Sequence, residues 1–565
     1  MVDIKKLPTS YRFRFWVFIA MLCFMAWFMM VCYFPSGELR FGHDLYFHLL
    51  RFQALMDALR EGSFPIYIDH ASLNGYGYAT KWFYPDVILV PFAILGNFTN
   101  IIIAYKTMLF TMTVLCGIIT YVSVVKVYRS QFAAIITALL YTFCVYRLQD
   151  LSDKGALEEV LAFTFVPLII LGCFEIITRH YKRWYILAVG FSLLIFSHLL
   201  LSVMMSLIVA LLVIIYLRKL IKEPIRFVYL LLATGVTVLV TVYYWLPMLE
   251  QMFSDTFYFE INRVVFSPGH GLSFRALLRA LFAGFIPSSK IFSIGLGALL
   301  TISVCLRFVV WRMSDLQKSV DVGVIIGLLL ILFSSSFFPI WIWPFNKLSF
   351  IQAPWRFFLI ASYFFALAGG YYLSRLIRGL KYRYIAMFIV FVLTAIVIIN
   401  ESYGNKSRMM AVNFETVEPS LRNSFHLGGL EYISSKVPSV MFIADRGNKV
   451  ISKYSKTVIS DFNKNKSGVT TFEIALNGHD KLELPLLYYK GYEASVNGQL
   501  LDITESRNGL LELDVNGSGI VEVYYKGTTI QQFSYYFSIL AIILLSTYIL
   551  WFNRRNLLNR LKINA

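Results

Sequence analysis

Phe41-Gly42-His43-Asp44-Leu45-Tyr46-Phe47-His48-Leu49-Leu50-Arg51 follows the first long apolar segment directly, and the reading of the whole chain starts from it. Asp44 stands at or near the N-cap of a helix whose Leu45, Leu49, Phe52, Met56 and Leu59 form one apolar stripe. The stripe alternates gaps of four and three and stops at Gly62. Asp44, His48 and Arg51 lie at i, i+4 and i+7 and share a different face. The pattern predicts an amphipathic helix on the membrane surface, with a carboxylate at its leading end and His48 and Arg51 on a solvated face.

The apolar segment before it is one of many. The chain of 565 residues is 58% hydrophobic and 15% charged, and its mean hydropathy is +0.66. A soluble chain of this size could not bury so much apolar surface, and runs of about 20 apolar residues indicate a polytopic membrane protein. The net charge of +18 is spread over loops between apolar runs. That pattern fits positive-inside loops against anionic lipid and argues against nucleic acid as a partner. The six cysteines lie in apolar segments with no CxxC spacing, so neither a disulfide framework nor a zinc site is expected. Lys5, Lys6, Arg12 and Arg14 precede the first run, which reads as a retained span rather than a cleaved signal.

Spans are expected near 13–33, 101–125, 131–147, 157–178, 184–198, 200–217, 227–247, 291–310, 322–339, 355–374, 384–400 and 532–552, about twelve by the length rule. The division at Ser197-His198 keeps every basic loop on one side. With it, both termini are cytoplasmic. Residues 1–400 then form a transmembrane domain with a first outer loop at 34–100, in which the apolar stretch Tyr84 to Asn97 is too short to cross. Residues 401–531 have the composition of a soluble outer domain, and 532–565 make the last span and a basic tail. Leu511, Leu513 and Val515, then Val521, Val523 and Tyr525, alternate as half-buried strands. Asn497-Gly498, Asn508-Gly509 and Asn516-Gly517 are hairpin-turn signals, so this domain reads as a small antiparallel β domain.

Several motifs resemble a known family. Gly42-His43-Asp44, Phe64-Pro65, Asn74-Gly75-Tyr76-Gly77-Tyr78 and Phe83-Tyr84-Pro85 are similar to the first outer loop of YfhO-type bacterial membrane proteins. Asp153-Lys154-Gly155-Ala156-Leu157-Glu158-Glu159, Ser197-His198-Leu199, Trp245-Leu246-Pro247, Pro354-Trp355-Arg356-Phe357 and the stretch from Leu484 to Gly498 extend the resemblance over most of the chain. Some members carry the label 6-pyruvoyl-tetrahydropterin synthase-related. That label implies a soluble zinc enzyme, for which this chain has no dense histidine constellation. The family in turn resembles the GT-C class of glycosyltransferases. The resemblance implies a GT-C-like fold, a polyprenyl-phosphate sugar donor and an acidic residue in the first outer loop, here Asp44. Where similar proteins often have Arg-Gly, this chain has Lys154-Gly155, which keeps the cation and loses the guanidinium fork.

Glycosyl transfer from a lipid phosphate needs a base for the acceptor hydroxyl and a cation for the leaving phosphate. The expected base is Asp44, with Glu159 and His198 as further catalytic candidates. Arg356, Lys154, Lys347 and Arg147 are the phosphate candidates. His48, Arg51, Tyr76, Tyr78, Tyr84 and Asp153 are assigned to the acceptor loop. An aromatic belt explains the tyrosines equally well, and Arg356 beside Trp355 also reads as an interface anchor. A divalent cation bridging Asp44 and phosphate suits hard oxygen ligands, although no spacing demands one. The acceptor would be a cell-envelope glycan, polymer or lipid. Two other functions fit the same composition: a transporter or flippase of a lipid-linked intermediate, and a non-catalytic binder of envelope polymer.

Overall fold

A computed structural model describes residues 9–34, 39–40, 42, 44–262, 270–284, 295–311, 314–406, 411–412 and 431–563. Phe41 and His43 of the opening motif lie outside these residues, as do parts of the expected outer domain at 401–531. Among the described residues, nine helices are long and apolar enough to cross a membrane. Expected spans at 184–198, 200–217 and 291–310 fall short of that length. Their helices are Tyr185–Ile195, Leu199–Ile215 and Ala298–Cys305, the last extended by a 3₁₀ turn to Val309. The break at Phe196–His198 ends one helix and starts the next, and the His198 Nδ1 atom caps the second by accepting from the Leu201 amide at 2.8 Å.

The chain forms two compact units. The first comprises Met1–Leu45, Tyr105–Thr237 and Val264–Val412. Its centre is the helix Gln131–Thr142, capped by Ser130, packed against the helix Phe357–Leu376. Close approach depends on Gly370, where an added Cβ would lie 2.0 Å from the Thr137 hydroxyl and 2.5 Å from the Ala133 carbonyl. After a short break at Phe143 and Cys144 the chain does not leave the helical segment at 147, where the expected span ends. It continues as Val145–Gln149 and then as a π-helical turn, Asp150–Lys154. Gly155 ends that turn at φ +69°, a left-handed conformation that suits glycine. The charged residues of this stretch are therefore on helix, inside a candidate span, rather than in a loop.

The second unit comprises Tyr46–Ala104, Val238–Arg263 and Asn413–Ala565. It contains nearly all of the helix Leu45–Glu61, which ends just before Gly62 (φ +72°). It also contains a β sandwich of two antiparallel sheets. One sheet orders its strands Ile451–Ser452, Asp480–Leu487, Leu510–Val515 and Ile503–Glu505. The other orders Thr457–Lys464, Thr470–Leu476, Gly519–Tyr525, Tyr492–Val496 and Gln499–Leu500. Phe472, Leu484, Leu511, Leu513, Val521 and Val523 meet in the core between them. Asn497-Gly498 turns a hairpin with both residues at positive φ, 49° and 82°. Asn516-Gly517 does not close a hairpin. The strands it joins belong to different sheets, so it turns a corner of the sandwich.

Candidate functional site

The first unit collects a cluster of buried charge. Glu159 lies in the first turn of the helix Leu157–Phe163 that follows Gly155, and its Oε1 atom lies 2.5 Å from the Lys154 ammonium and 3.4 Å from the Arg356 Nε. The Tyr146 hydroxyl donates to Glu159 Oε2 at 2.8 Å. Lys154 also lies 3.6 Å from Asp150 Oδ1. Asp150 Oδ2 is buried with no hydrogen-bond partner among the described residues. The side chains of Glu159 and Lys154 are 4% and 10% exposed, whereas Arg356 is 20% exposed. Arg356 is thus the accessible cation. Its Nη1 atom donates to Gln352 Oε1 at 2.8 Å, which leaves the fork aimed between Gln352 and Glu159.

The π turn explains why these groups converge. It widens the helix by one residue and lets Lys154 reach back to Asp150 and forward to Glu159. The start of the helix at Leu45 is pinned to the same turn. The Asp44 amide donates to the Lys154 carbonyl at 2.9 Å. Gly42 and Gly155 touch backbone to backbone, since a Cβ on Gly42 would meet the Gly155 Cα and N at 3.0 Å. No residue with a side chain fits at Gly42 without moving this contact. Asp44 itself is half-exposed.

His198 feels the charges of Glu159, Arg356, Glu158 and Lys154 while its Nδ1 caps a helix. Asp153 is buried in the π turn. Arg147 is fully buried, with its guanidinium bonded to the Thr142 carbonyl at 3.2 Å and the Thr113 hydroxyl at 3.1 Å. Lys347 is exposed on the 3₁₀ turn Phe345–Ile351, and no described contact ties it to the cluster. Sequence reasoning passed over Tyr146 and the pair formed by Gln149 and Glu401, whose side chains bond at 2.9 Å. Tyr146 lies thirteen residues before Glu159, a separation that carries no helical signal across the bend at Gly155.

Apart from Asp153, the acceptor-loop residues belong to the second unit, and they correct two expectations. His48 and Arg51 are not on a solvated face. They are 2% and 6% exposed, and Arg51 donates to Asp86 Oδ1 at 2.8 Å. Lys81 donates to Asp86 Oδ2 at 2.9 Å. Burial pushes the Lys81 ammonium below its ordinary pKa while Asp86 pulls it back up. Tyr76 and Tyr78 are neither a sugar platform nor an interface belt, being 0% and 2% exposed. The Tyr76 hydroxyl donates to the Gly447 carbonyl at 2.6 Å and accepts from Arg446. Tyr84 stacks beneath the Arg51 guanidinium, 4.8 Å from ring centre to Cζ. The physical reason is tertiary: the far end of the first loop covers His48 and Arg51, and residues 446–447 cover Tyr76, which periodicity within the loop does not reveal.

Among the described residues, no group of three or more His, Cys, Asp or Glu side chains could hold a metal ion. Neither a protein-family model nor a curated protein matches the chain. A solved structure, the crystal structure of the Archaeoglobus fulgidus oligosaccharyltransferase in the apo form, is similar to it with a TM-score of 0.37 and 12% sequence identity. The match covers 74% of this chain and 60% of that one, so the chain spans less than two thirds of that protein's length.

Proposed function

We propose that this chain is a membrane glycosyltransferase of the GT-C class, related to the YfhO-type proteins. It moves a sugar from a polyprenyl-phosphate donor to a cell-envelope glycan, polymer or lipid on the outer face. The observation that carries this reading is the bond from the Asp44 amide to the Lys154 carbonyl. It supports a half-exposed carboxylate standing beside a buried cluster that offers one accessible guanidinium, Arg356.

Asp44 is the base. It takes the acceptor hydroxyl proton as the new bond to the anomeric carbon forms and the bond from that carbon to the phosphate oxygen breaks. The electron pair leaves on the polyprenyl phosphate, a weak base that needs a cation rather than a proton. Arg356 supplies the cation, since charge-assisted contacts to phosphate are strong. Glu159 acts through Arg356 and Lys154 as a positioning residue. Both of its oxygens are already engaged, which makes it a poorer base than Asp44. His198 and Asp153 support the same wall.

The test is transfer from a labelled polyprenyl-phosphate sugar by the purified chain. Asp44→Asn should slow transfer by about 10²–10⁴-fold while donor binding persists. Near-normal transfer by folded Asp44→Asn protein would remove Asp44 from the chemistry. Lipid translocation in vesicles with no transfer by the unaltered chain would make it a flippase instead.

A further inference from the structure

A cavity of about 1130 Å³ in the second unit has mixed charge on its walls, and one of about 100 Å³ in the first is almost wholly apolar. A third, of about 1020 Å³, is chemically one-sided. It lies in the first unit among the helices Thr9–Tyr33, Gln131–Thr142 and Leu380–Lys406. Among the described residues, four arginines line it, Arg14, Arg129, Arg375 and Arg383, and no carboxylate does. Among the described residues, none of the four is paired with an acid. Arg383 is oriented by its own contacts: Nε donates to the Ile377 carbonyl at 2.9 Å, and the guanidinium lies over Phe132 at 5.4 Å. Its two terminal nitrogens make no hydrogen bond with a described residue.

The rest of the cavity wall is mainly apolar and aromatic, with four uncharged polar residues, Ser130, Gln131, Ser314 and Ser374, and it opens sideways. Phe13, Val17 and Phe388 line it and are 69%, 50% and 66% exposed, on helices of membrane-crossing length. In a bilayer those side chains face lipid tails. The N-terminus of the helix Gln131–Thr142 also reaches this wall, with Ser130 and Gln131 in the lining. A helix N-terminus adds favourable potential for an anion. Among the described residues, no acid neutralises these four guanidiniums, which line a mainly apolar, laterally open cavity.

We propose that this cavity holds the headgroup of an anionic phospholipid, with its acyl chains along Phe13, Val17 and Phe388. The arginines take the phosphate through forked contacts, as basic pockets between membrane helices do. The loop-charge pattern puts this end on the cytoplasmic side, so the lipid comes from the inner leaflet. The site is independent of the Asp44 reading and uses none of its residues.

The experiment is native mass spectrometry of the delipidated full chain with phosphatidylglycerol, with phosphatidylcholine of the same acyl chains, and with inorganic phosphate. Phosphatidylglycerol should occupy the protein about 10-fold more than phosphatidylcholine at equal concentration, and inorganic phosphate should leave no adduct. The double variant Arg14→Gln/Arg375→Gln should bring phosphatidylglycerol down to the phosphatidylcholine level, with an unchanged Tm in neutral lipid. Neither arginine makes a described contact whose loss would unfold the chain. Arg383→Gln, assayed separately, should lower occupancy in the same direction. Equal occupancy by the two lipids would show a site for tails only, phosphate binding as well as lipid would show a soluble-anion site, and unchanged occupancy in the arginine variants would put the headgroup elsewhere. Each of these three results overturns the proposal.

Discussion

Asp86 and Asp150 are both buried acids beside a lysine, and their surroundings are finished differently. Asp86 places Oδ1 on Arg51 and Oδ2 on Lys81, so one carboxylate closes on two cations. Asp150 shares the single Lys154 ammonium with Glu159 and keeps Oδ2 without a hydrogen-bond donor among the described residues. The first arrangement locks the loop 80–86 onto the helix Leu45–Glu61. The second leaves hydrogen-bonding capacity in a charged wall, and Arg356 at its edge is partly open. Saturated ion groups hold structure; unsaturated ones beside an accessible cation are where a charged ligand gains most, because the cost of burying them has already been met.

The strongest way to break this contrast is Asp86→Ala. It strips Arg51 and Lys81 of the carboxylate they share, and removal of one member of a buried ion group costs about 3–5 kcal/mol. Thermal unfolding of the purified chain in detergent should register that loss, while donor affinity of the protein that remains folded should not change. An unaltered Tm would mean that Asp86 is not a structural anchor.

Asp480 offers a second saturated acid in the same unit. It accepts from the Tyr454 and Lys481 amides at 3.0 and 2.8 Å and from the Ser452 and Thr457 hydroxyls at 2.5 and 2.7 Å. Burial opposes its charge, but these donors outweigh burial and hold its pKa down at about 2 against an ordinary 3.8. A depressed carboxylate stabilises the folded state above its unfolded pKa and loses that effect as pH falls through the folded one. Asp480→Asn should therefore lower Tm at pH 7, by about 1.5–3 kcal/mol in stability for hydrogen bonds to a charged group. The gap to the unaltered chain should narrow between pH 4 and pH 2. A gap independent of pH in that window would show that packing rather than charge sets the effect.

Gly155→Ala tests the hinge of the other cluster. The new Cβ would sit 3.1 Å from the Leu45 nitrogen at a φ of +69°, and left-handed strain costs of the order of 1–3 kcal/mol. Because this turn carries both Asp44 and Lys154 contacts, transfer should fall more than stability does. Equal losses would make the turn merely structural.

Arg356→Ala should have the smallest effect on stability, under about 1 kcal/mol, since its pair with Glu159 is long and partly exposed. Donor affinity should nevertheless fall by about 10-fold, and Arg356→Lys should recover only part of it because the planar fork is lost. Unchanged donor use would return Arg356 to the role of an interface anchor.

Much of this was legible in the chain order. Hydropathy marks the long helices because each must satisfy its backbone internally and present apolar side chains over about 20 residues. The stripe from Leu45 to Leu59 and its stop at Gly62 match the helix that forms. Asn497-Gly498 turns where its positive-φ residues require it. The fate of His48 and Arg51 was not legible. A helical face of polar residues reads the same whether water or Asp86 lies opposite, and Asp86 is thirty-five residues from Arg51.

The sequence by itself determined that this is a membrane protein with a β-rich region near its C-terminus, and which residues can carry charge, because composition and period express local physics. Only the tertiary structure decided which charges are closed and which are open. Asp86 and Asp150 are the same residue type, each with a lysine four or five residues away, and that local pattern does not separate them. What separates them is the second donor: Arg51, thirty-five residues away, joins the nearby Lys81 for the one, whereas the other has the neighbouring Lys154, already claimed by Glu159. Asn516-Gly517 shows the same limit, since a turn signal sets where the chain bends, while the packing of two sheets sets which strand lies beyond the bend.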